Sequence, residues 1–230
     1  MSTFPRPLLL WLCIAAGLAF LTLSLLQENG LVSPLWWLEL LLYALMIAGL
    51  ARGGFGLTLP VPMLAFVVLS WAFGMVYELT LTVDGTGYGG VHRDTFASFV
   101  LAQGDYIPIA LATLIMVRRW HLGFAGAFLI SCGKSLTEGI VFMGVLTDTV
   151  LSSAWPYAPL LLAYYTLAYA SFVALPLLVL APQSLWDNGS PRPKGGLTLI
   201  AAGFVVAFAI RIAWGLVLAP VLTWASALPP

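Results

Sequence analysis

HLGFAGAFLISCGKSLTEGIVFMGVLT, residues 121–147, is an apolar segment of membrane-crossing length with a lysine and a glutamate in its middle. Lys134 and Glu138 are four residues apart, so on a helix they stand one above the other on a single face, within reach of an ion pair. An ionised side chain near a bilayer centre costs about 2.5 to 3.5 kcal/mol on insertion scales, and it normally turns toward a partner or a wet cavity. The face carrying Lys134 and Glu138 is therefore expected to point into a helix bundle. Two readings follow: a buried pair that only locks helices together, or one wall of a functional polar pocket.

The rest of the sequence says what kind of bundle this is. Of 230 residues 61% are hydrophobic, against 9 Lys+Arg and 9 Asp+Glu, and the mean hydropathy is +1.02. A soluble fold would lack polar surface at that composition. Apolar runs recur at about 8–27, 35–51, 57–80, 96–117, 122–146, 157–181 and 197–220, each about long enough to cross a 30 Å hydrocarbon core at 1.5 Å per residue. The expectation is an all-α, polytopic integral membrane protein with seven transmembrane helices, forming one membrane domain over 1–230. Backbone groups cannot stay unpaired in lipid and no ten-residue alternating pattern is present, which argues against a β-barrel. The first run follows Arg6 but is too long for a signal-peptide core and lacks a small-x-small cleavage site, so it is read as the first span. Cys13 and Cys132 fall inside spans and read as small apolar residues.

Arg6, Arg52, Arg118, Arg119, Arg192 and Lys194 fall on one side of this arrangement and Arg93 on the other, which places the N-terminus in the cytoplasm and the C-terminus outside, in a multi-pass cell-membrane protein. The two long connections are a Gly-rich outer loop, VDGTGYGGVHRD at 83–94, and a polar inner linker, QSLWDNGSPRPKGG at 183–196. Trp36, Trp37, Trp120, Trp155 and Trp186 lie near span ends, as interfacial anchors do.

Counting rise from the span ends places Lys134 about 18 Å and Arg211 about 21 Å from the inner side, with Asp105 about 13 Å below the outer side. These three share a layer. Glu138 lies about one turn further out, Glu39 enters from the outer part of the second span, and Glu78 closes the third. Charges confined to the middle and outer half point to one polar pocket. Glu39, Glu78, Asp105 and Glu138 exceed Lys134 and Arg211 by two, so the pocket has room for a bound proton. Single residues keep plainer readings beside this one. Glu78 suits an interface, Asp105 a counter-ion to Lys134 on a helix re-aimed by Gly104 and Pro108, and Arg211 either snorkels or pairs with Glu138. Asp94, beside His92, is first a helix N-cap and is kept as a pocket candidate. Trp71, Tyr77, Tyr165, Tyr169 and Phe172 are candidates for an aromatic lining, which attracts cations if it is more than packing.

Two family resemblances attach to these residues. RRWHLGFAGAFLISCGKSLTEGIVF, at 118–142, resembles the fourth-helix region of the sterol Δ8–Δ7 isomerase-like (EXPERA) membrane proteins: a basic cap, L-x-F, then S-x-G-x-x-x-x-acidic. LSWAFGMVYE, ending on Glu78, resembles that module's first helix, with Gly74 where the isomerases carry a histidine, and YASFVALP at 169–176 resembles its last. The resemblance covers about 57–182 and implies an isomerase-like four-helix core there. YALMIAGLARGGFGLTLPVPMLA, at 43–65, looks like the second-to-third helix junction of the seven-helix integral-membrane terpene (meroterpenoid) cyclases. Both families, as the resemblance implies, protonate an olefin or epoxide in a lipid-accessible pocket and steer a carbocation.

The expected activity is a metal- and cofactor-independent terpene cyclisation or isomerisation of a lipophilic isoprenoid entering from the membrane. Glu78 and Asp105 are the catalytic candidates, one carboxyl giving a proton and a second taking one or stabilising the cation. Lys134, Glu138, Arg211 and Glu39 wall the pocket, and Trp71, Tyr77, Tyr165, Tyr169 and Phe172 line the cation path. There is no DDxxD-like acidic pair, H-E-x-x-H or P-loop, which disfavours diphosphate ionisation and metal sites. The expected partners are membrane lipid and substrate, with no nucleic acid. The competing readings are a proton-coupled transporter or channel and a non-catalytic lipid-binding subunit; a transporter should carry charges in both halves of the bilayer.

Overall fold

A computed structural model of the chain describes residues 56–83, 95–142, 144–153, 155–159, 161–162, 172–189 and 194–226. The expected spans 8–27 and 35–51, the loop 84–94 and the candidates Glu39, Asp94, Tyr165 and Tyr169 lie outside the described residues. Among those described the fold is all-α, and the strand-like pairing seen is an isolated parallel bridge between Leu57 and Leu180.

Helix α1 runs Pro62–Val83, α2 Thr95–Trp120, α3 Phe124–Leu136, α4 Val145–Leu151, α5 Pro176–Val179 and α6 Gly196–Ser226. The 57–80 run is helical only from Pro62. Pro60 and Pro62 push the residues before them out of the helical region, and proline is at home as the first residue of a helix. The extended lead-in instead pairs with the end of α5, through Leu57 N–H to the Val179 carbonyl at 2.9 Å and Ala181 N–H to the Leu57 carbonyl at 3.1 Å.

The 122–146 run also departs from a single helix. After Leu136 it continues as a π-helical segment, Thr137–Phe142, and Gly144 then turns the chain at φ +67° into α4. The cause lies at Thr137, whose hydroxyl bonds the Gly133 carbonyl and the Phe204 carbonyl of α6, each at 3.1 Å. A side chain bound into the ladder and to a neighbouring helix is a recognised origin of such bulges.

Among the described residues two stretches are long and apolar enough to cross a membrane, Phe124–Phe142 and Gly196–Val217, the first mostly buried (67% of its most apolar window) and the second mostly not (11%). The first is thus a central helix and the second packs on it by one narrow face. That face is built on glycine. A Cβ at Gly133 would fall on the Ile200 carbonyl oxygen, and one at Gly203 on the Ile130 carbonyl oxygen, so the two backbones touch directly, as small residues allow between membrane helices. α1 and α2 pack along each other, and α2 also meets α6. Side-chain placement inverts the soluble pattern: Glu78, Asp105, Lys134 and Glu138 are buried while Leu64, Ile115, Val205 and Leu216 are exposed.

At the end where α2 gives way to α3, Trp120 is followed by His121 at φ +52°. Leu122 N–H reaches back to the Val117 carbonyl at 3.1 Å, closing a Schellman-type stop. Histidine stands where glycine is usual, and it is held by its neighbours. Its Nε2 meets Asp187 Oδ1 at 3.0 Å, its ring stacks on Trp186 at 5.2 Å, and Trp186 Nε1 donates to the Leu122 carbonyl at 3.1 Å. The linker after α5 is thereby fastened to the α2–α3 turn.

Candidate functional site

Phe66, Ser70, Gly74 and Glu78 recur every four residues on α1 and all are buried, so they form one inward stripe. Gly74 makes the room that the site needs. The Tyr106 ring of α2 lies against it, and a Cβ there would come within 2.6 Å of Tyr106 Cδ1. No side chain fits at 74 while Tyr106 occupies that place. One turn on, the Tyr106 hydroxyl donates to Glu78 Oε2 at 3.2 Å. The ring meets Phe172 edge-on, centroids 5.2 Å apart and planes at 89°, a favoured aromatic geometry.

Lys134 comes to this pair from α3. Its Nζ stands 5.2 Å from the Phe172 centroid and 5.7 Å from that of Tyr106, within the range where ring faces attract cations. Its charge is coupled to those of Glu138 and Glu78. Phe172, expected to face a substrate cation, thus faces the protein's own ammonium.

The other half of the cluster is centred on Arg211 of α6. Its Nη1 pairs with Asp105 Oδ2, and its Nη2 lies 3.5 Å from Glu138 Oε2. One guanidinium therefore ties a carboxylate on α2 to one in the π-helical segment, the fork geometry for which arginine is suited. Register comes from Gly104 and Trp214: a Cβ at 104 would fall inside the Trp214 indole, so the indole rests on the α2 backbone and sets Arg211, one turn earlier, opposite Asp105. The Arg211 guanidinium also lies 5.7 Å from the Phe142 ring.

Among the described residues Asp105, Lys134, Glu138, Glu78 and Arg211 thus gather in one cluster of three carboxyls and two cations. Trp71 sits apart, 37% exposed, its Nε1 donating to Gln103 Oε1 while Gln103 Nε2 donates to Met75 Sδ at 3.1 Å. Tyr77 lies on the α1 backbone beside Glu78. Tyr106, the hydroxyl on Glu78, was not singled out from sequence. Its signal was the pair of glycines, Gly74 and Gly104, which mark close approaches but do not say what approaches.

Against Lys134 a void of ≈ 10 Å³ is lined by Thr113, Ser131, Lys134 and the apolar Ile109, Met116 and Val206. That is about the room one water needs. No family model, curated protein or solved structure matches this chain. The site is therefore read from its own geometry.

Proposed function

We propose that this chain is a seven-span membrane protein that protonates a lipophilic, isoprenoid-like substrate with a buried carboxyl and carries it through isomerisation or cyclisation. The membrane placement is supported by the exposed apolar side chains around inward-facing charges and by the two stretches of spanning length. Helices α1 and α2, at 22 and 26 residues, are also long enough at 1.5 Å per residue to cross about 30 Å.

The observation that carries the chemistry is the division of labour among the three carboxyls. Asp105 and Glu138 share Arg211, whereas Glu78 accepts from the Tyr106 hydroxyl and stands in the field of Lys134. Among the described residues three carboxyls face two cations, which leaves room for a bound proton, and Glu78, on the face of α1 that runs up to the half-exposed Trp71, is the carboxyl we assign to give it up. Once it has done so, the Tyr106 hydrogen bond and the field of Lys134 hold the resulting carboxylate. Asp105, fixed by Arg211, is the weaker donor and the better fixed negative charge beside a developing cation. Trp71, Met75 and Glu78 stand at i, i+4 and i+7 on one face of α1, grading from half-exposed to buried, which gives an apolar substrate a lateral way in.

The test is conversion of prenylated and sterol-like substrates by purified protein in detergent. Glu78→Gln keeps shape and hydrogen bonding but removes the transferable proton, so turnover should fall about 10²-fold or more, with melting unchanged. Asp105→Asn should lower turnover and melting together. Undiminished turnover in Glu78→Gln overturns the assignment. The second reading, proton-coupled transport, is favoured by the water-sized void against Lys134. It predicts proton-driven uptake by proteoliposomes and no conversion of any isoprenoid.

A further inference from the structure

The outer face of α2 carries a second feature that the buried cluster does not use. Ile107, Leu111 and Ile115 recur every four residues and are 39%, 46% and 56% exposed. The same stripe, continued one more turn, ends on the exposed Arg119. From Ile107 to Arg119 is twelve residues, or about 18 Å of helix, close to half of a 30 Å hydrocarbon core. Apolar length and basic end together therefore match one leaflet: acyl chain below, phosphate level above.

The basic end is more than one side chain. Lys194, exposed just before α6, places its Nζ 5.7 Å from the ring of Trp120, the residue after Arg119. Leu197, on the first turn of α6 three residues after Lys194, is 82% exposed. Arg118 is taken up along the surface, with its Nη1 on the exposed Met63 Sδ and its carbonyl accepting from Asp187 N–H. Asp187 is itself taken by His121 and by the Gly189 N–H at 3.0 Å. Among the described residues Arg118, Arg119 and Lys194 against Asp187 leave this rim two positive charges in excess, with Arg119 and Lys194 exposed.

We infer that this face binds one anionic glycerophospholipid, its phosphate between Arg119 and Lys194 at the level of Trp120, and its acyl chain along Ile115, Leu111 and Ile107. The charge excess selects a lipid with net negative charge over a zwitterionic one, because each basic residue near a membrane surface adds attraction for anionic headgroups. The stripe below it selects a lipid over a soluble phosphate. The inference rests on the membrane placement in the reading above and is independent of its chemistry.

The experiment uses the full chain, purified and delipidated in a neutral detergent, and follows melting and lipid retention by native mass spectrometry. Added phosphatidylglycerol should raise the melting temperature in a saturable way and survive as a one-to-one adduct, while phosphatidylcholine should do neither. Replacing Arg119 and Lys194 together by Gln should weaken phosphatidylglycerol about 25-fold, fivefold per charge removed. Ile115→Asn, which keeps both charges, should weaken it too. Equal response to both lipids, an undiminished adduct in the double variant, or stabilisation by soluble glycerol phosphate alone would overturn the inference. Release of the protein from cell membranes by alkaline carbonate would overturn the membrane placement and this site with it, whereas absence of isoprenoid turnover would bear only on the proposed chemistry.

Discussion

Replacing Arg211 by Gln tests the cluster most directly, because one guanidinium holds two carboxylates that originate on different elements. Asp105 and Glu138 are 5% and 4% exposed, and the Arg211 side chain is 18% exposed. Removing one partner of a buried pair leaves the other charge uncompensated at a cost of about 3 to 5 kcal/mol. Here Asp105 and Glu138 both lose Arg211, while Glu138 keeps the field of Lys134, so Arg211→Gln should cost about 3 to 5 kcal/mol. At about 2 to 4 °C per kcal/mol for a chain of this size, the melting temperature should drop by roughly 6 to 20 °C. Adding Asp105→Asn to that variant removes one of the stranded charges and should restore part of the loss, giving a coupling of about 1 to 3 kcal/mol in a double-mutant cycle. The assay is thermal or denaturant unfolding in one detergent at one pH, with the four proteins of the cycle side by side. A loss below about 1 kcal/mol, or strictly additive single effects, would mean that the pair is solvated and that the reasoning about a buried cluster is wrong.

Tyr106→Phe keeps the ring against Gly74, Phe172 and Lys134 and deletes only the hydroxyl on Glu78; it should cost about 1 to 2 kcal/mol and lower turnover more than it lowers melting, and equal activity would remove Tyr106 from the acid. Gly203→Leu or Gly133→Leu must push α3 and α6 apart, because the obstacles are the backbones of Ile130 and of Ile200 and Phe204; either should destabilise by about 3 kcal/mol or more and be read as lost folded yield, whereas Gly215→Ala, where a Cβ meets nothing, should be silent. The fastening of the 182–189 linker should respond to acid. The hydrogen bond from His121, then that from the Gly189 N–H, holds the Asp187 carboxyl below its usual range, so its contribution is complete above about pH 4 and fades as pH falls through the lower folded value. Wild type and Asp187→Asn should therefore differ in melting temperature near pH 6 and converge as acid takes the pH below the usual carboxylate range; a constant difference across that range would show that the linkage is absent.

Much of the site was legible in the sequence because burying charge in an apolar chain leaves few choices. Lys134 and Glu138 in one apolar run, Asp105 and Arg211 in two others, had to turn inward, and the structure gathers all four with Glu78. The one-dimensional pattern also carried the all-helical class, since membrane-length apolar runs without alternation satisfy the backbone only as helices. Pairing was not legible. Asp105 meets Arg211 because the Trp214 indole rests on Gly104, a contact between residues far apart in sequence that fixes how α6 slides along α2. The helix carrying Lys134 departs from α geometry at Thr137 because a hydroxyl finds a carbonyl on another helix, so the spacing of Lys134 and Glu138 is set partly by a neighbour. Tyr106 passed unnoticed because its role depends on an empty place, the missing side chain at Gly74. Hydropathy and charge are sums over single residues and can be read along the chain; register, close approach and who faces whom are properties of pairs, and only the packed structure decides them.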